Sequence, residues 1–488
     1  MKIKIVISTL AAALAVACCS TTVSAAPFQG RVQVQGKALV AANGQRFMVR
    51  GVALAPLNIN NDLLADNNFA YTRDNILPKL QALHVNMVRV YQVDVTKGHD
   101  NVMNLLKRNG IYAEISITSD TINVNRVNPQ YTTALKKRIR QVIDDFAKYD
   151  NVLSFSVGNE VLDPLGTYAY VSQSESPRQC HTPEDCIART VMLEKRAASI
   201  EKSMMRDAKA YLKSKGRTIP VGIALRDVPT STIPANLNGL VGTDIASQYY
   251  ACGTNVAERA DYIGANVYRY QQNGDMGALD DFAQEVANLP VPVYLDEEGT
   301  VINSNKPHTR DWKIVGAFYD RDSLINNLSG ETAYEFFNES NNFGLYYDDG
   351  ASLPETAWGG AQALATQFAA VENKVLPLPA SNPATVACPD NFNPALQPVT
   401  KDASITVMNY ADRQLQVVQN GDVLHSLPPA IANNNPSVTP VIADSTQEFF
   451  ILDQSSNWAL VCKIAANRLK DGSIVSNNVT WGNACNVR

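Results

Sequence analysis

Two glutamates in this sequence follow apolar stretches, at points where a buried strand would deliver a carboxylate into a cleft. Residues 152–161 read VLSFSVGNEV, an apolar run that ends at Asn159 and Glu160. Residues 291–299 read VPVYLDEEG and reach Glu297 in the same manner. Two carboxyl groups about 5–5.5 Å apart suit retaining glycoside chemistry, in which one protonates the leaving oxygen and the other attacks the anomeric carbon. The two glutamates are therefore a candidate catalytic pair, whereas a lone Asn-Glu dipeptide is usually a helix cap or a surface pair.

Eight strand-like stretches with helical patterns between them would position these glutamates. They are RFMVRGVAL, VNMVRVY, IYAEISI, VLSFSVGNE, IPVGIAL, DYIGANVY, VPVYLDE and ETAYEFF. This alternation predicts the α/β class and a (β/α)8 TIM barrel. Apolar residues at helical spacing predict a crossover helix over 131–149, and a second helical stretch covers about 187–214. Reactive groups of such barrels lie at the C-terminal ends of the strands, where both glutamates are found.

Other strand ends carry polar or aromatic side chains that could form the rest of the site. The candidate substrate-binding residues are Arg89, Tyr91, Asn159, Asn266, Tyr268, Tyr334 and, just beyond the eighth strand, Glu339. An arginine inside an apolar strand needs a carboxylate partner, because burial of an unpaired charge is costly.

Composition argues for a neutral ligand. The chain has 488 residues and a net charge of -5, which is too mildly acidic to suggest nucleic acid or an anionic membrane surface as partner. No CxxC or histidine-rich spacing indicates a metal, and no cofactor is expected. After the N-terminal segment, no apolar run is long enough to predict a membrane span. The oligomeric state is left open.

The N-terminus has the pattern of a targeting segment. Lys2 and Lys4 precede an apolar run, and residues 23–25 offer a small-x-small cleavage site, so we expect a cleaved signal peptide and a secreted, periplasmic or cell-surface protein. A lipoprotein attached at Cys18 is the alternative, although the usual leucine three residues earlier is missing. The polar C-terminus TWGNACNVR argues against a glycolipid-anchor signal.

Six cysteines would remain after cleavage, enough for three disulfides in an oxidising compartment. Cys180 and Cys186 close a short loop, and Cys462 and Cys485 both lie in the C-terminal region. By elimination, Cys252 would pair with Cys388. Free buried thiols are the alternative, and export makes them the weaker one.

The composition changes near residue 375 to a Pro-, Ala- and Asn-rich connector. We therefore divide the chain into a signal peptide (1–25), a catalytic barrel (26–375), a linker (376–394) and a small β-rich domain (395–488). In the last, ASITVMNY, QLQVVQ, DVLHSL, EFFILD and WALVCKI are strand-like, and Asn420-Gly421 predicts a hairpin turn. Its aromatic residues suit either a small sheet core or carbohydrate binding.

Several segments together resemble a known enzyme family. NMVRVY, NVLSFSVGNEV, IPVGIA, YYACG, ADYIGANVY, VPVYLDEEG and FFNESNNFGLY occur in the order and approximate spacing of glycoside hydrolase family 72, the β-1,3-glucanosyltransferases best known from fungal cell walls. The resemblance covers roughly residues 46–348. It implies a β-glucan oligo- or polysaccharide as substrate.

The resemblance also implies roles for individual residues. Glu160 matches the acid/base and Glu297 the nucleophile, and Tyr268 matches a tyrosine that orients the nucleophile. Asn159 matches the amide that binds the sugar 2-hydroxyl. Cys252 matches a cysteine with a downstream partner, consistent with Cys388.

In the second strand, Arg89 matches an arginine on the nucleophile side and Tyr91 a ring for sugar stacking. Elsewhere the sequence departs from the family pattern. Glu298 follows the nucleophile where the family has an aromatic residue, although strand alternation should point it away from Glu297. Leu54-Ala55 and Ser116 replace family residues of the sugar-binding strand ends.

The sequence therefore predicts a retaining β-1,3-glucan-active enzyme, with a β-1,3-glucanosyltransferase favoured by the resemblance. A β-glucan endohydrolase is one alternative, because the first and third strand ends are altered. A non-catalytic carbohydrate-binding envelope protein is the other, and retention of both carboxylates argues against it.

Overall fold

The described part of the chain covers most of the predicted barrel. The computed structural model describes residues 28–55, 62–173, 180, 182–270, 275–299, 310–347, 353–356, 360–380 and 384–397, and beyond these mainly strands between 403 and 487. The predicted signal peptide over 1–25 lies outside the described residues.

Eight parallel strands form a closed barrel. They are Val49–Leu54, Met87–Val90, Tyr112–Ser116, Val152–Asn159, Val221–Arg226, Ile263–Asn266, Val293–Glu298 and Gly330–Ala333. Each pairs with the next, and the eighth pairs with the first through Gly330 opposite Val49. Each strand coincides with one of the eight predicted stretches, so the predicted TIM barrel is confirmed.

Helices connect the strands on the outside of the barrel. The α-helices are Phe69–Tyr71, Leu77–Ala82, Asp100–Arg108, Thr133–Phe146, Pro164–Ser172, Pro183–Ser214, Thr243–Ala251, Met276–Glu285, Ile314–Asp320, Asp322–Asn327 and Gly360–Val371. Short 3-10 turns at Asp66–Asn68, Thr230–Thr232 and Ala235–Leu237 and a π-helical turn at Thr72–Ile76 complete them. Both predicted helices are present and begin at threonine caps, where Thr132 and Thr182 accept hydrogen bonds from the backbone N–H three residues later.

A small antiparallel sheet closes the N-terminal end of the barrel. Its strands are Gln33–Gln35, Ala38–Val40 and Arg46–Phe47. Leu39 and Phe47 pack against Tyr112 at the start of the third barrel strand. Because this end is covered by apolar side chains, the strand ends that carry the glutamates form the open face.

Two predicted disulfides are formed, Cys180–Cys186 and Cys252–Cys388. The predicted Cys462–Cys485 bridge falls outside the described residues, because Cys485 is not among them.

Residues 384–397, which include most of the predicted linker, pack on the barrel. Gly253 N donates to Val386 O at 3.1 Å, and the ring of the fully buried Phe392 lies 5.5 Å from that of Tyr249. Gln397 N donates to the Ser203 hydroxyl at 3.0 Å. The second half of this connector is therefore part of the surface of the barrel.

Further strands follow residue 397. They are Ala403–Asn409, Leu415–Gln419, Asp422–Leu427, Ser437–Val438, Val441–Ile442, Phe449–Asp453, Ala459–Ile464, Ile474–Val479 and Asn486–Val487, arranged in two sheets. Gln419 pairs antiparallel with Asp422, as the predicted hairpin requires, while Asn420 and Gly421 lie outside the described residues. The five predicted strand-like stretches are strands. The division of the chain into domains stays a prediction.

Every helix within the described ranges is too short or too polar to cross a lipid bilayer. The same ranges contain no group of three or more His, Cys, Asp or Glu side chains placed to hold a metal ion.

Candidate active site

Glu297 is held by three side-chain donors at the end of the seventh barrel strand. Its Oε1 accepts from Arg89 Nη1 at 2.6 Å and from the Tyr91 hydroxyl at 2.7 Å. Its Oε2 accepts from the Tyr268 hydroxyl at 2.7 Å. The side chain is only 5% exposed. These contacts fix the orientation of the carboxylate, and they come from the second strand and from the segment after the sixth.

A local irregularity in the seventh strand explains how this carboxylate is directed. The pairing with the sixth strand shifts register between Leu295 and Glu297, so that Asp296 and Glu297 both reach Arg89. Glu298 takes the other direction, is 1% exposed and lines neither cleft described below. Burial and the charge of Asp311 raise the pKa of Glu298 to about 8. Alternation correctly separated the two glutamates.

Glu160 follows the fourth barrel strand in an unusual backbone conformation. Its φ is +50°, in the left-handed region that non-glycine residues rarely occupy and that is enriched at functional sites. Two contacts hold the strained residue, since Glu160 N donates to Ala224 O at 2.9 Å and Arg126 Nη2 donates to Glu160 O at 2.8 Å. The turn directs the side chain, which is 24% exposed, toward the cleft.

The surroundings of Glu160 favour its protonated form. Burial raises the pKa of its carboxyl above the usual range, and the negative charge of Glu297 raises it further. Asn266 Nδ2, which donates to Oε1 at 2.8 Å, and Arg226 Nη1, 3.7 Å from Oε2, oppose this rise without reversing it. A raised pKa makes this carboxyl group better suited to donate a proton than an exposed glutamate.

Two asparagines link the carboxylates. Asn159 Oδ1 accepts from Arg89 Nη2 at 2.7 Å and from Asn266 Nδ2 at 3.1 Å. The oxygen of the exposed Asn159 amide is therefore occupied, and its NH2 group remains available to a ligand. Asn266 is 1% exposed, and its Nδ2 group donates to Asn159 and Glu160. Asn266 is therefore better suited to position these two side chains than to contact a sugar.

Aromatic rings form one wall of the site. Tyr268, Tyr334 and Phe343 pack edge to face, with ring centroids 5.4 to 6.1 Å apart. Phe343 was missed by sequence reasoning, although it lies within the quoted segment FFNESNNFGLY. Glu339 makes no hydrogen bond to Glu160 or Glu297 and does not line the cleft, so the structure does not bring it to the carboxylate pair.

Two clefts lie near the glutamates, and the glutamates line the larger one. The larger has a volume of about 620 Å³ and is lined by Glu160, Glu297, Arg226, Tyr268, Tyr334 and Phe343, among others. The smaller, of about 360 Å³, contains Tyr91, Ser116, Asp120, Arg126 and Asn159. In the smaller cleft, Tyr91 donates to Glu297 and Asn159 accepts from Arg89, so this cleft adjoins the groups that hold Glu297.

An acidic residue ties together two arginines that the sequence did not single out. Asp163 Oδ2 lies 2.6 Å from Arg126 Nη1 and 3.3 Å from Arg226 Nη1. Its Oδ1 accepts from Gly166 N at 3.1 Å and caps the helix Pro164–Ser172. One arginine therefore contacts the backbone of Glu160 while the other approaches its carboxylate, and both are held by the same group.

Comparison with known proteins identifies a matching family and similar proteins. A family model described as glucanosyltransferase, glycoside hydrolase family 72, matches residues 21–174 and 190–369. The 1,3-β-glucanosyltransferase GAS5 of Saccharomyces cerevisiae is 30% identical over 328 residues, which are 65% of this chain and 58% of that protein. Protein EPD1 of Candida maltosa is 31% identical over 332 residues, which are 66% of this chain and 51% of EPD1. The matches thus span little more than half the length of these relatives.

Solved structures share the fold. Saccharomyces cerevisiae Gas2p in complex with laminaritriose and laminaritetraose superimposes with a TM-score of 0.58 at 24% identity, covering 75% of each chain.

Proposed function

This chain belongs to the glucanosyltransferase family, glycoside hydrolase family 72, and we propose that it is a retaining β-1,3-glucanosyltransferase that works through a covalent glycosyl-enzyme intermediate. The observation that carries the proposal is the asymmetry of the two glutamates. Glu297 is fixed by Arg89, Tyr91 and Tyr268, whereas Glu160 sits in surroundings that favour its protonated form.

In the first step, Glu297 attacks the anomeric carbon while Glu160 protonates the glycosidic oxygen, so the reducing-end portion of the donor glucan leaves. The raised pKa of Glu160, caused by burial and by the charge of Glu297, favours this proton transfer. The NH2 group of Asn159 is placed to donate to a hydroxyl of the sugar at the reacting position.

In the second step, Glu160 takes a proton from an acceptor hydroxyl, whose oxygen attacks the anomeric carbon and displaces Glu297. In the glycosyl-enzyme intermediate, Glu297 is esterified and no longer carries the negative charge that helped to raise the pKa of Glu160. The pKa of Glu160 therefore falls when the group must act as a base.

Transfer to sugar rather than to water needs room for two chains. The two clefts beside the glutamates supply separate space for donor and acceptor, and Tyr91 and Tyr334 offer aromatic surfaces. Relatives named 1,3-β-glucanosyltransferases, and the binding of laminari-oligosaccharides by Gas2p, support β-1,3-glucan as the substrate class.

The test is product analysis by mass spectrometry after incubation with reduced β-1,3-gluco-oligosaccharides. We expect wild type to form products longer than the substrate, and Glu160→Gln and Glu297→Gln to form none. Exclusively shorter products from wild type would make the protein an endohydrolase. Absence of turnover on both β-1,3- and β-1,4-linked oligosaccharides would favour a carbohydrate-binding envelope protein.

We also propose that the protein is exported through a cleaved signal peptide over 1–25. The disulfides Cys180–Cys186 and Cys252–Cys388 support this, because such bonds persist in oxidising compartments. Intact-mass and N-terminal analysis of the protein from its native host should give a start near Ala26. A start at a lipid-modified Cys18 would identify a lipoprotein, and retention of Met1 would contradict export.

A further inference from the structure

Three carboxyl groups, including that of Glu297, surround Arg89 in the interior of the barrel. Arg89 Nη1 lies 2.6 Å from Glu297, and Arg89 Nε lies 3.3 Å from Asp296 Oδ2 and 3.7 Å from Glu114 Oε1. Asp296 is fully buried, Glu114 is 1% exposed and Arg89 is 3% exposed. Three ionised carboxylates would exceed this single cation by two charges in a site without solvent, which is costly.

Neighbouring side chains donate hydrogen bonds to only some of the oxygens of Glu114 and Asp296. Glu114 Oε2 accepts from the Tyr294 hydroxyl and from the Ser154 hydroxyl, the latter at 3.3 Å. Glu114 Oε1 and both carboxyl oxygens of Asp296 have no hydrogen-bond donor among the described residues. The Tyr262 ring stacks on the Tyr294 ring, with centroids 5.2 Å apart.

A proton held between the two carboxyl groups would supply a donor to these oxygens. Asp296 Oδ2 and Glu114 Oε1 both approach the same Arg89 Nε, at 3.3 and 3.7 Å. Gly264 makes room for this contact, because a Cβ there would lie 2.5 Å from Asp296 Oδ2. Burial raises the pKa of Asp296 well above its usual range, and the nearby Glu114 and Glu297 act in the same direction against Arg89.

We propose that Asp296 and Glu114 share one proton and act as a pair of positioning residues for Glu297. The pair then presents a single negative charge to Arg89 Nε. This contact leaves Arg89 Nη1 directed at Glu297 and Nη2 directed at Asn159, at 2.6 and 2.7 Å. The inference rests on the proposed role of Glu297 as nucleophile, and it assigns a function to the aspartate that precedes it.

Amide variants distinguish a shared proton from two separate charges. In Asp296→Asn or Glu114→Gln, the amide replaces the protonated partner and the other carboxylate keeps its charge, so the pair still carries one charge. The acidic limb of the kcat/KM pH profile, which reports ionisation of the nucleophile in the free enzyme, should stay in place. In the double variant, loss of that charge stabilises ionised Glu297, and the limb should move to lower pH by about one unit.

A downward shift of the limb in both single variants would overturn the proposal, because each carboxyl would then carry its own charge. If the two carboxyl groups were purely structural, the variants would change stability or kcat. The position of the acidic limb would then be the same in the single and double variants.

Infrared difference spectroscopy tests the same proton without using turnover. With wild type at pH 8 as reference, each single variant should lose one carbonyl band of a protonated carboxylic acid, whichever partner holds the proton. Unchanged carboxylic-acid bands in both folded variants would overturn the proposal. Because this measurement needs no substrate, it separates failure of the shared proton from failure of the proposed function. If the variants do not fold, isotope labelling of aspartate and glutamate in wild type must still show such a band.

Discussion

At the scale of single residues, Arg226 places a positive charge beside the carboxylate of Glu160. Its guanidinium lies 3.7 Å from Glu160 Oε2 and 3.3 Å from Asp163, and 47% of the side chain is exposed. The arginine lowers the pKa of Glu160, although burial and Glu297 together raise it by more. Arg226 therefore tunes the pKa of Glu160, the proposed acid/base, without contributing the largest effect.

Replacement of Arg226 should move the pH range of activity in a defined direction. Glu160 must be protonated for the first step, so activity falls as pH rises through its pKa. Arg226→Met removes a cation that stabilises the ionised form, raises this pKa and should shift the basic limb of kcat/KM to higher pH. Solvent screening at this exposed position limits the shift to less than about one unit.

Arg226→Lys is the matched control, since it retains the charge and should keep the basic limb close to that of wild type. An unchanged limb in Arg226→Met, or a shift to lower pH, would show that the arginine does not act on Glu160 electrostatically.

At the scale of elements, the eight barrel strands were predictable because short apolar runs alternate along the chain with helical patterns. The same stretches led to Glu160, Glu297, Arg89 and Tyr268, which lie at or near strand ends. Arg226 was missed although it ends the fifth strand, because its partners come from other elements. Contacts of this kind depend on three-dimensional proximity and leave no local pattern.

A buried ionic contact fastens the loop that follows the second barrel strand. His99 is fully buried at the start of the helix Asp100–Arg108. Its Nε2 lies 2.9 Å from Asp62 Oδ2 and its Nδ1 lies 2.7 Å from Asp145 Oδ2. Burial lowers the pKa of His99, but the two carboxylates outweigh it and raise the pKa to about 9. The charged imidazole thus holds three segments together beside the strand that carries Arg89.

This contact predicts a loss of stability at alkaline pH. The pKa of His99 is higher in the folded protein than the value of about 6.5 for an unfolded chain, so its contribution is complete below that pH. The contribution disappears as pH rises through about 9 and can reach about 3 kcal/mol. His99→Gln should lower the thermal unfolding temperature at pH 6 and should show a smaller further decrease between pH 7 and 10 than wild type.

His84→Gln is the comparison, because within the described part of the chain His84 pairs with a single carboxylate, Glu372, and its side chain is 23% exposed. Equal effects of the two substitutions across this pH range would contradict a specific role for the buried contact.

At the scale of the whole molecule, residues that follow the last helix of the barrel, Gly360–Val371, still pack on the barrel. Residues 384–397 have the composition of a connector. The predicted Cys252–Cys388 disulfide already fixed one point of this segment on the barrel. Its backbone hydrogen bonds and the burial of Phe392 leave no local pattern in the sequence and could not be predicted. Arg259 Nη1 also donates to Ala384 O at 2.6 Å, and Cys388 is bonded to Cys252. A barrel without this segment would lose contacts on the helix Thr243–Ala251.

Two truncated chains test this boundary together with the predicted separate domain after it. A chain that ends at residue 397 keeps Cys388 and Phe392, and we expect its unfolding temperature and oligosaccharide turnover to approach those of the full chain. A chain that ends at residue 375 loses a disulfide, typically about 2–5 kcal/mol, and a buried phenylalanine, about 3–5 kcal/mol. Its unfolding temperature should be about 10 °C lower than that of the full chain. The same decrease is expected when Cys252→Ser removes the thiol that truncation leaves unpaired. If the chain ending at 397 aggregates or melts as early as the shorter one, the later strands belong to the folded core of the barrel and the predicted domain division is wrong.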